Sequence, residues 1–242
     1  WSRPVLIWDN YPVNDGGLQN HIFLGPYTGR DLKLGEAVKG IFSNPMFLPN
    51  ASQIPLFTMG KYFTVENYDP GQAQNQAVAH LGKGAETALK DLSDCLLNHP
   101  LLPSKNLNSL PIKKLMDDFW AGYQAGDYKD QADKLKAVLE RYAENSKLLS
   151  NLENQRLWYE LKPASEKLSI YAQGSIWALN YLLETDPHKK KLAKTQAVQA
   201  LASSKKIEIR VADNRVGRIY GLLMGKGENQ ALFEDFIKRA VK

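Results

Sequence analysis

The stretch Val5-Leu6-Ile7-Trp8-Asp9-Asn10-Tyr11-Pro12-Val13-Asn14-Asp15 decides how this chain is read. It opens on four apolar residues, Val5 to Trp8, too few for a helix and rich in strand formers. That pattern predicts a fully buried strand of the parallel-sheet type. Asp9, Asn10, Asn14 and Asp15 follow at once. Pro12 lies among them and has no N–H for a ladder, so the strand must stop and a loop begin. Gly16-Gly17 closes that loop. A strand ending in a burst of Asp, Asn, Trp and Tyr is how α/β enzymes set polar groups at the carboxyl edge of a sheet.

The same grammar repeats once. Leu32 to Val38 carries a short helical pattern, with Asp31 expected in its first turn, where the helix dipole favours negative charge. Gly40-Ile41-Phe42-Ser43-Asn44 then reads as a second strand, again ending in Asn followed by Pro. Ala51 to Phe63 reads as the next helix, with Pro55 in its opening turns. Strand, helix, strand with polar strand ends implies a barrel or a doubly wound sheet.

Near Val65 to Asp69 the pattern changes and helical periodicity takes over. Helices are expected over Pro70–Leu81 and Ala85–Leu97, with a loop over Asn98–Asn108. A helix lined by Ile112, Leu115, Met116, Phe119, Trp120 and Tyr123 should end at Gly126. Asp127 is the expected cap of the next one, which runs to Leu149. A long helix bearing Leu157, Leu161, Leu168, Tyr171, Leu179 and Leu182 follows, with Pro163 as a kink. Lys206 to Val211 alternates like a strand, and Leu232, Phe233, Phe236 and Ile237 suit a closing amphipathic helix. The expectation is therefore α/β followed by all-α: residues 1–67 as strand–helix units and 68–242 as a helical bundle with a short strand near 206–211.

Polar groups at strand ends suit a sugar pocket, because each hydroxyl donates and accepts and is satisfied by amides and carboxylates in pairs. Asp15 would be the strongest anchor, since a hydrogen bond to a charged partner contributes about 1.5–3 kcal/mol. Asn10 and Asn44 stand at the two strand ends. Loop-capping Asx turns are the competing reading of the same residues.

The eight residues Trp8 to Asp15 resemble the WDNYPVND signature of family 84 glycoside hydrolases, the bacterial β-N-acetylglucosaminidases or hyaluronidases and the O-GlcNAcases. The likeness continues through Phe23-Leu24-Gly25-Pro26-Tyr27, Gly29-Arg30-Asp31, Gly40 to Met46 and Ala51 to Leu56, and more faintly through Tyr68-Asp69-Pro70 and Glu160-Leu161-Lys162-Pro163. It implies that residues 1–67 are the C-terminal strand–helix units of a TIM (β/α)8 barrel. It implies that Asp15 binds the far hydroxyls of a terminal N-acetylglucosamine and that Asn44 assists at a hydroxyl. Asn10 would lie beside the acetamide, and Trp8 would wall the pocket for the acetamide methyl. Tyr11 and Asn14 are assigned only to shaping the loop.

The family's reaction is retaining and substrate-assisted, with the substrate's acetamide as nucleophile, an exception to the usual carboxylate scheme. Its two adjacent aspartates end an earlier strand, so this chain is expected to hold no catalytic residue and to be inactive alone. The Asp117-Asp118 pair lies on a helix whose apolar face turns it to solvent, which argues against catalysis. A non-catalytic glycan-binding or structural helical module is the alternative. The expected partners are a glycan or glycoprotein containing N-acetylglucosamine, and either the remaining barrel segment or a second copy, because two bare strands leave edges unpaired.

Composition narrows the rest. At 242 residues the chain can bury a substantial core, and at +5 it carries its Lys and Arg along helices. The His188-Lys189-Lys190-Lys191 run, followed by Lys194, reads first as a solvated face, with contact to an anionic polysaccharide or nucleic acid as the alternative; no nucleic-acid motif accompanies it. No apolar run approaches the ~20 residues of a membrane span. The four histidines lack metal-ligand spacing, no phosphate loop is present, and no cofactor or metal is implied. Trp120, Trp158 and Trp177 could stack on sugar faces, but at helical spacing among apolar residues they read first as core aromatics, and the single Cys95 reads as a small buried hydrophobe. The start at Trp1 suggests a piece of a longer protein, and the resemblance implies a secreted or cell-surface bacterial one.

Overall fold

The computed structural model describes residues 3, 5–15, 18, 21–97, 111–210, 216–218 and 232–242, apart from the side chains of 208–210 and 216–218. Two short parallel strands, β1 (Leu6–Asp9) and β2 (Gly40–Ser43), are joined through α1 (Leu34–Ala37). Their register pairs Leu6 with Gly40 and Trp8 with Phe42. The backbone bonds Lys39 N to Val5 O and Asn44 N to Asp9 O, both 2.9 Å, extend the pairing at each end. α2 (Pro49–Thr64), α3 (Pro70–Leu81) and α4 (Glu86–Cys95) follow. Then come α5 (Pro111–Ala125), α6 (Lys129–Ala143), α7 (Asn145–Leu149), α8 (Gln155–Leu183) and α9 (Pro187–Ser204). β3 (Glu208–Arg210) pairs antiparallel with β4 (Val216–Arg218), and α10 (Leu232–Val241) ends the chain. The molecule is mostly helical with little sheet.

The expected burial of the first strand is wrong. Leu6 and Trp8 are 58% and 67% exposed, and Phe42 beside them is 56% exposed. Alternation explains it: Leu6, Trp8 and Phe42 share one face of the two-stranded pair, and each stays more than half open there. The opposite face carries Asp9 and Ile41, and there Ile41 packs on a small cluster of Tyr11, Tyr27, Met59 and Tyr62.

The main core is continuous from the loop after β1 into the helices. Ile22, Phe23 and Leu24 are buried with Leu89, Leu92, Leu135, Leu157 and Phe233. Leu24 is threaded between helices: its N–H donates to Leu96 O at 2.8 Å and its carbonyl accepts from Gln74 Nε2 at 2.5 Å. Gly25 is required next to it, because a Cβ there would lie 2.4 Å from Leu97 O. Two polar links brace the helices internally: Asp91 holds Arg141 at 2.6 and 2.8 Å, and buried Asn145 bridges Ala88 O and Ser165 Oγ.

Several helix ends follow the sequence and several do not. Asp69 caps α3, accepting from Gln72 N at 2.6 Å ahead of Pro70. Gly126 ends α5 with φ of 78°. Asp127, however, caps nothing; Tyr128 is the N-cap residue of α6, without a side-chain cap. The helix expected to run on to Leu149 breaks at Glu144 into α6 and α7. α1 is shorter than expected, and Asp31 stands ahead of it, its carboxylate accepting from Lys33 N at 2.9 Å in an Asx turn. α2 begins at Pro49, so Pro55 sits in its second turn. β4 was not anticipated. The loop expected over Asn98–Asn108 and the end of the expected strand at Val211 lie outside the described residues.

Candidate functional site

The carboxyl ends of β1 and β2 lie side by side, which brings three of the expected residues together. Trp8 Nε1 donates to Asn10 Oδ1 at 3.0 Å, and Asn44 Nδ2 donates to the same oxygen at 3.2 Å. With Asn10 Oδ1 doubly occupied, the groups left to face a ligand are the Asn10 amide N–H groups and Asn44 Oδ1. Donor and acceptor then stand on adjacent strand ends, the arrangement a hydroxyl or an acetamide needs. Trp8 presents its exposed indole on the same side. Asp15 is not joined to this group. Its side chain is exposed, and no hydrogen bond or ion pair holds its carboxylate among the described residues.

The loop between these residues is fixed from beneath. Tyr11 is fully buried and its hydroxyl donates to Gly25 O. Pro12 follows a cis peptide bond. Ser43 Oγ donates to Tyr11 O at 2.7 Å, tying the loop to β2. Asn14 is fully buried; its amide donates to His21 O at 3.0 Å and its oxygen accepts from Phe47 N at 2.8 Å. Tyr11 and Asn14 thus shape the loop. His21 stacks on Phe23 with centroids 5.8 Å apart, and burial holds its imidazole below the ordinary 6.5.

One charged unit was missed. Asp9, 7% exposed, is gripped by Arg30 through Nη2 at 2.8 and 3.0 Å and Nε at 3.3 Å, and Tyr27 Oη donates to it at 2.7 Å. The Arg30 guanidinium also lies 5.0 Å from the Tyr27 ring centroid. A carboxylate so gripped is a strut, because its lone pairs point into the protein. The available signal was the alternation itself: if Trp8 faces outward, Asp9 must face inward and needs a cation, and Arg30 is the only arginine between Arg3 and Arg141. Burial pushes the neighbouring Tyr68 hydroxyl up to about 12, and it donates to Tyr27 O at 2.5 Å.

The bundle reaches the site through Glu160 on α8. Its Oε1 accepts from Asn50 N at 3.2 Å and Asn50 Nδ2 at 2.6 Å, and its Oε2 from Ala51 N at 2.7 Å. The N-cap residue of α2, Leu48, offers no side-chain oxygen. A carboxylate from 110 residues away therefore caps the helix that follows β2, at its positive end.

Asp117 and Asp118 lie on α5, paired with Lys113 at 2.6 Å and Lys114 at 2.7 Å, one turn back. Among the described residues no group of three or more His, Cys, Asp or Glu side chains could hold a metal ion. No described helix is long and apolar enough to cross a membrane.

The chain is similar to known proteins in sequence and in fold. Residues 1–94 match the family model described as beta-N-acetylglucosaminidase, and residues 111–217 that described as hyaluronidase post-catalytic domain-like. Protein O-GlcNAcase of Rattus norvegicus and that of Mus musculus are each 36% identical over 62 residues, 26% of this chain and 7% of theirs. In fold the chain is similar to a mutant of Thermobaculum terrenum O-GlcNAc hydrolase, with a TM-score of 0.78 at 23% identity over 99% of this chain and 48% of that one. CpGH84B gives 0.77 at 22% identity over 98% of this chain and 40% of that one, and CpGH84D gives 0.80 at 17% over 99% and 40%. The chain thus spans under half the length of these solved relatives and a small fraction of the curated ones. Together these matches support the assignment of the chain to glycoside hydrolase family 84.

Proposed function

We propose that this chain is the sugar-gripping end of a retaining, substrate-assisted β-N-acetylglucosaminidase, and that it does no chemistry by itself. Trp8, Asn10, Asp15 and Asn44 contact the terminal N-acetylglucosamine of a glycan or glycoprotein. Asp15 takes the far hydroxyls, Asn44 a nearer one, Asn10 lies by the acetamide, and Trp8 walls its methyl. The convergence of Trp8 and Asn44 on Asn10 Oδ1 is the observation that carries this reading, since it leaves a donor and an acceptor side by side at open strand ends.

Residues 1–67 act as the last two strand units of a (β/α)8 barrel, and the helices beyond brace them. The bare face of Leu6, Trp8 and Phe42 supports this, because it is the face the rest of a barrel would cover. The catalytic aspartate pair then belongs to that remaining barrel segment, with Asp117 and Asp118 serving only as helix-surface ion pairs.

Incubating the 242-residue chain with a chromogenic β-N-acetylglucosaminide tests the proposal. No turnover is expected from the chain alone, and turnover is expected when it is fused to barrel strands of a family 84 relative. Turnover by the chain alone that disappears in Asp117→Asn would overturn the assignment of roles.

A further inference from the structure

A second polar groove lies on the far half of the molecule, between α8 and α9. The two helices run antiparallel: a Cβ at Gly174 would meet Ala200 Cβ, while Tyr181 further along contacts Lys190 and Lys194. The space between them has a volume of about 300 Å³, in the range of small-ligand sites. Ser169, Gln173 and Trp177 line it from α8 at four-residue spacing, and Gln196, Gln199 and Ser203 line it from α9. At 1.5 Å rise per residue the stripe is about 12 Å long.

Three features set this groove apart from ordinary helix surface. First, no charged side chain lines it, on a chain with 31 Lys and Arg and 26 Asp and Glu. Second, the amides of Gln173, Gln196 and Gln199 have no hydrogen-bond partner among the described residues, so each offers both donors and an acceptor. Third, the indole of Trp177 is anchored against the core but left uncovered over the groove. Two other large aromatics of the bundle are covered: Arg239 lies over Trp120 at 4.0 Å, and Lys190 and Lys194 lie over Tyr181 at 5.2 and 5.4 Å. Among the described residues no ring or cation covers Trp177.

We propose that this groove binds a neutral saccharide, with the apolar face of one sugar ring on Trp177 and its hydroxyls shared among the three glutamine amides. Amides match groups that donate and accept at once, and the uncharged lining offers no cation to pair with a uronate or a sulfate. An indole with one face free supplies contact area at little entropic cost. The site is independent of the strand-end residues and would hold a distal part of a glycan whatever happens at Asn10 and Asp15.

Titrating the chain, with ¹⁵N-labelled tryptophan indoles, with N,N′-diacetylchitobiose tests it by NMR. The Trp177 indole resonance, assigned through Trp177→Phe, should shift saturably. The Gln173→Ala/Gln196→Ala pair should weaken the binding read at that resonance about tenfold, and Trp177→Ala should weaken to the same extent the binding read by calorimetry in an Asp15→Ala background that lacks the strand-end anchor, each with the circular dichroism spectrum unchanged. Asp15→Ala should leave that affinity as it was. An unmoved Trp177 resonance, an unaltered affinity in Trp177→Ala, loss of the shift in Asp15→Ala, or tighter binding of a hyaluronan tetrasaccharide than of chitobiose would each overturn the proposal.

Discussion

Replacing Glu160 by alanine should loosen the start of α2, the helix that follows β2, from 110 residues away in sequence. Its carboxylate accepts from Asn50 N and Ala51 N in the first turn of α2, where Leu48 offers no side-chain cap, and it also holds the Asn50 amide. Losing a helix cap costs about 1 kcal/mol. Losing a negative charge at the positive end of the dipole costs about 0.5 kcal/mol more. The orphaned Asn50 amide adds about 1 kcal/mol. Together these predict about 2–3 kcal/mol, which at a typical slope lowers the urea midpoint by about 1 M with the slope unchanged. Glu160→Gln keeps an acceptor but no charge and should lose about half as much. Amide exchange at Ala51 should accelerate in both variants. If Glu160→Ala moves the midpoint by less than about 0.2 M, or the Ala51 amide stays protected, the carboxylate is not the cap and the link between bundle and strands is wrong.

Other consequences are as specific. Arg30→Ala leaves the Asp9 carboxylate buried and unpaired and should cost about 3 kcal/mol in chemical denaturation, whereas Asp9→Asn/Arg30→Ala should cost less than the two single changes added. Gly25→Ala must push against Leu97 O and should cost about 1–3 kcal/mol, read as a lower thermal midpoint. For His21 the folded state disfavours the charged ring, so the unfolded chain takes up the proton first. Stability is then intact above pH about 6.5 and falls as the pH drops below it, and His21→Gln should flatten melting temperature across that window. Phe42→Glu on the bare strand face should lower any self-association seen by sedimentation with little change in the melting temperature, since more than half of the side chain is open to solvent.

What the sequence disclosed depended on whether the deciding forces were local. The strand end at Pro12, the Asp69-Pro70 helix start and the Gly126 stop are written in neighbouring residues, and they appear as expected. The meeting of Trp8, Asn10 and Asn44 followed from two strands ending alike. The burial of Leu6 and Trp8 was misjudged because four apolar residues in a row do not say how many strands accompany them. Asp9 looked like one more polar loop residue, yet the pleat turns it inward to Arg30 and Tyr27. Glu160 resembled a family motif without an evident reason; its reason is a helix end far away in sequence, which no local pattern contains. Asp127 is a good capping residue by type, but the turn places Tyr128 at that position instead.

The most direct test is a chemical-shift map of the folded chain titrated with N-acetylglucosamine. Saturable shifts of the Trp8 indole and of the Asn10 and Asn44 side-chain amides, lost in Asp15→Ala while the Leu24 and Glu160 contacts stay intact, are the predicted result. Resonances at Trp8, Asn10 and Asn44 that stay fixed, or that move identically without the Asp15 carboxylate, would contradict it.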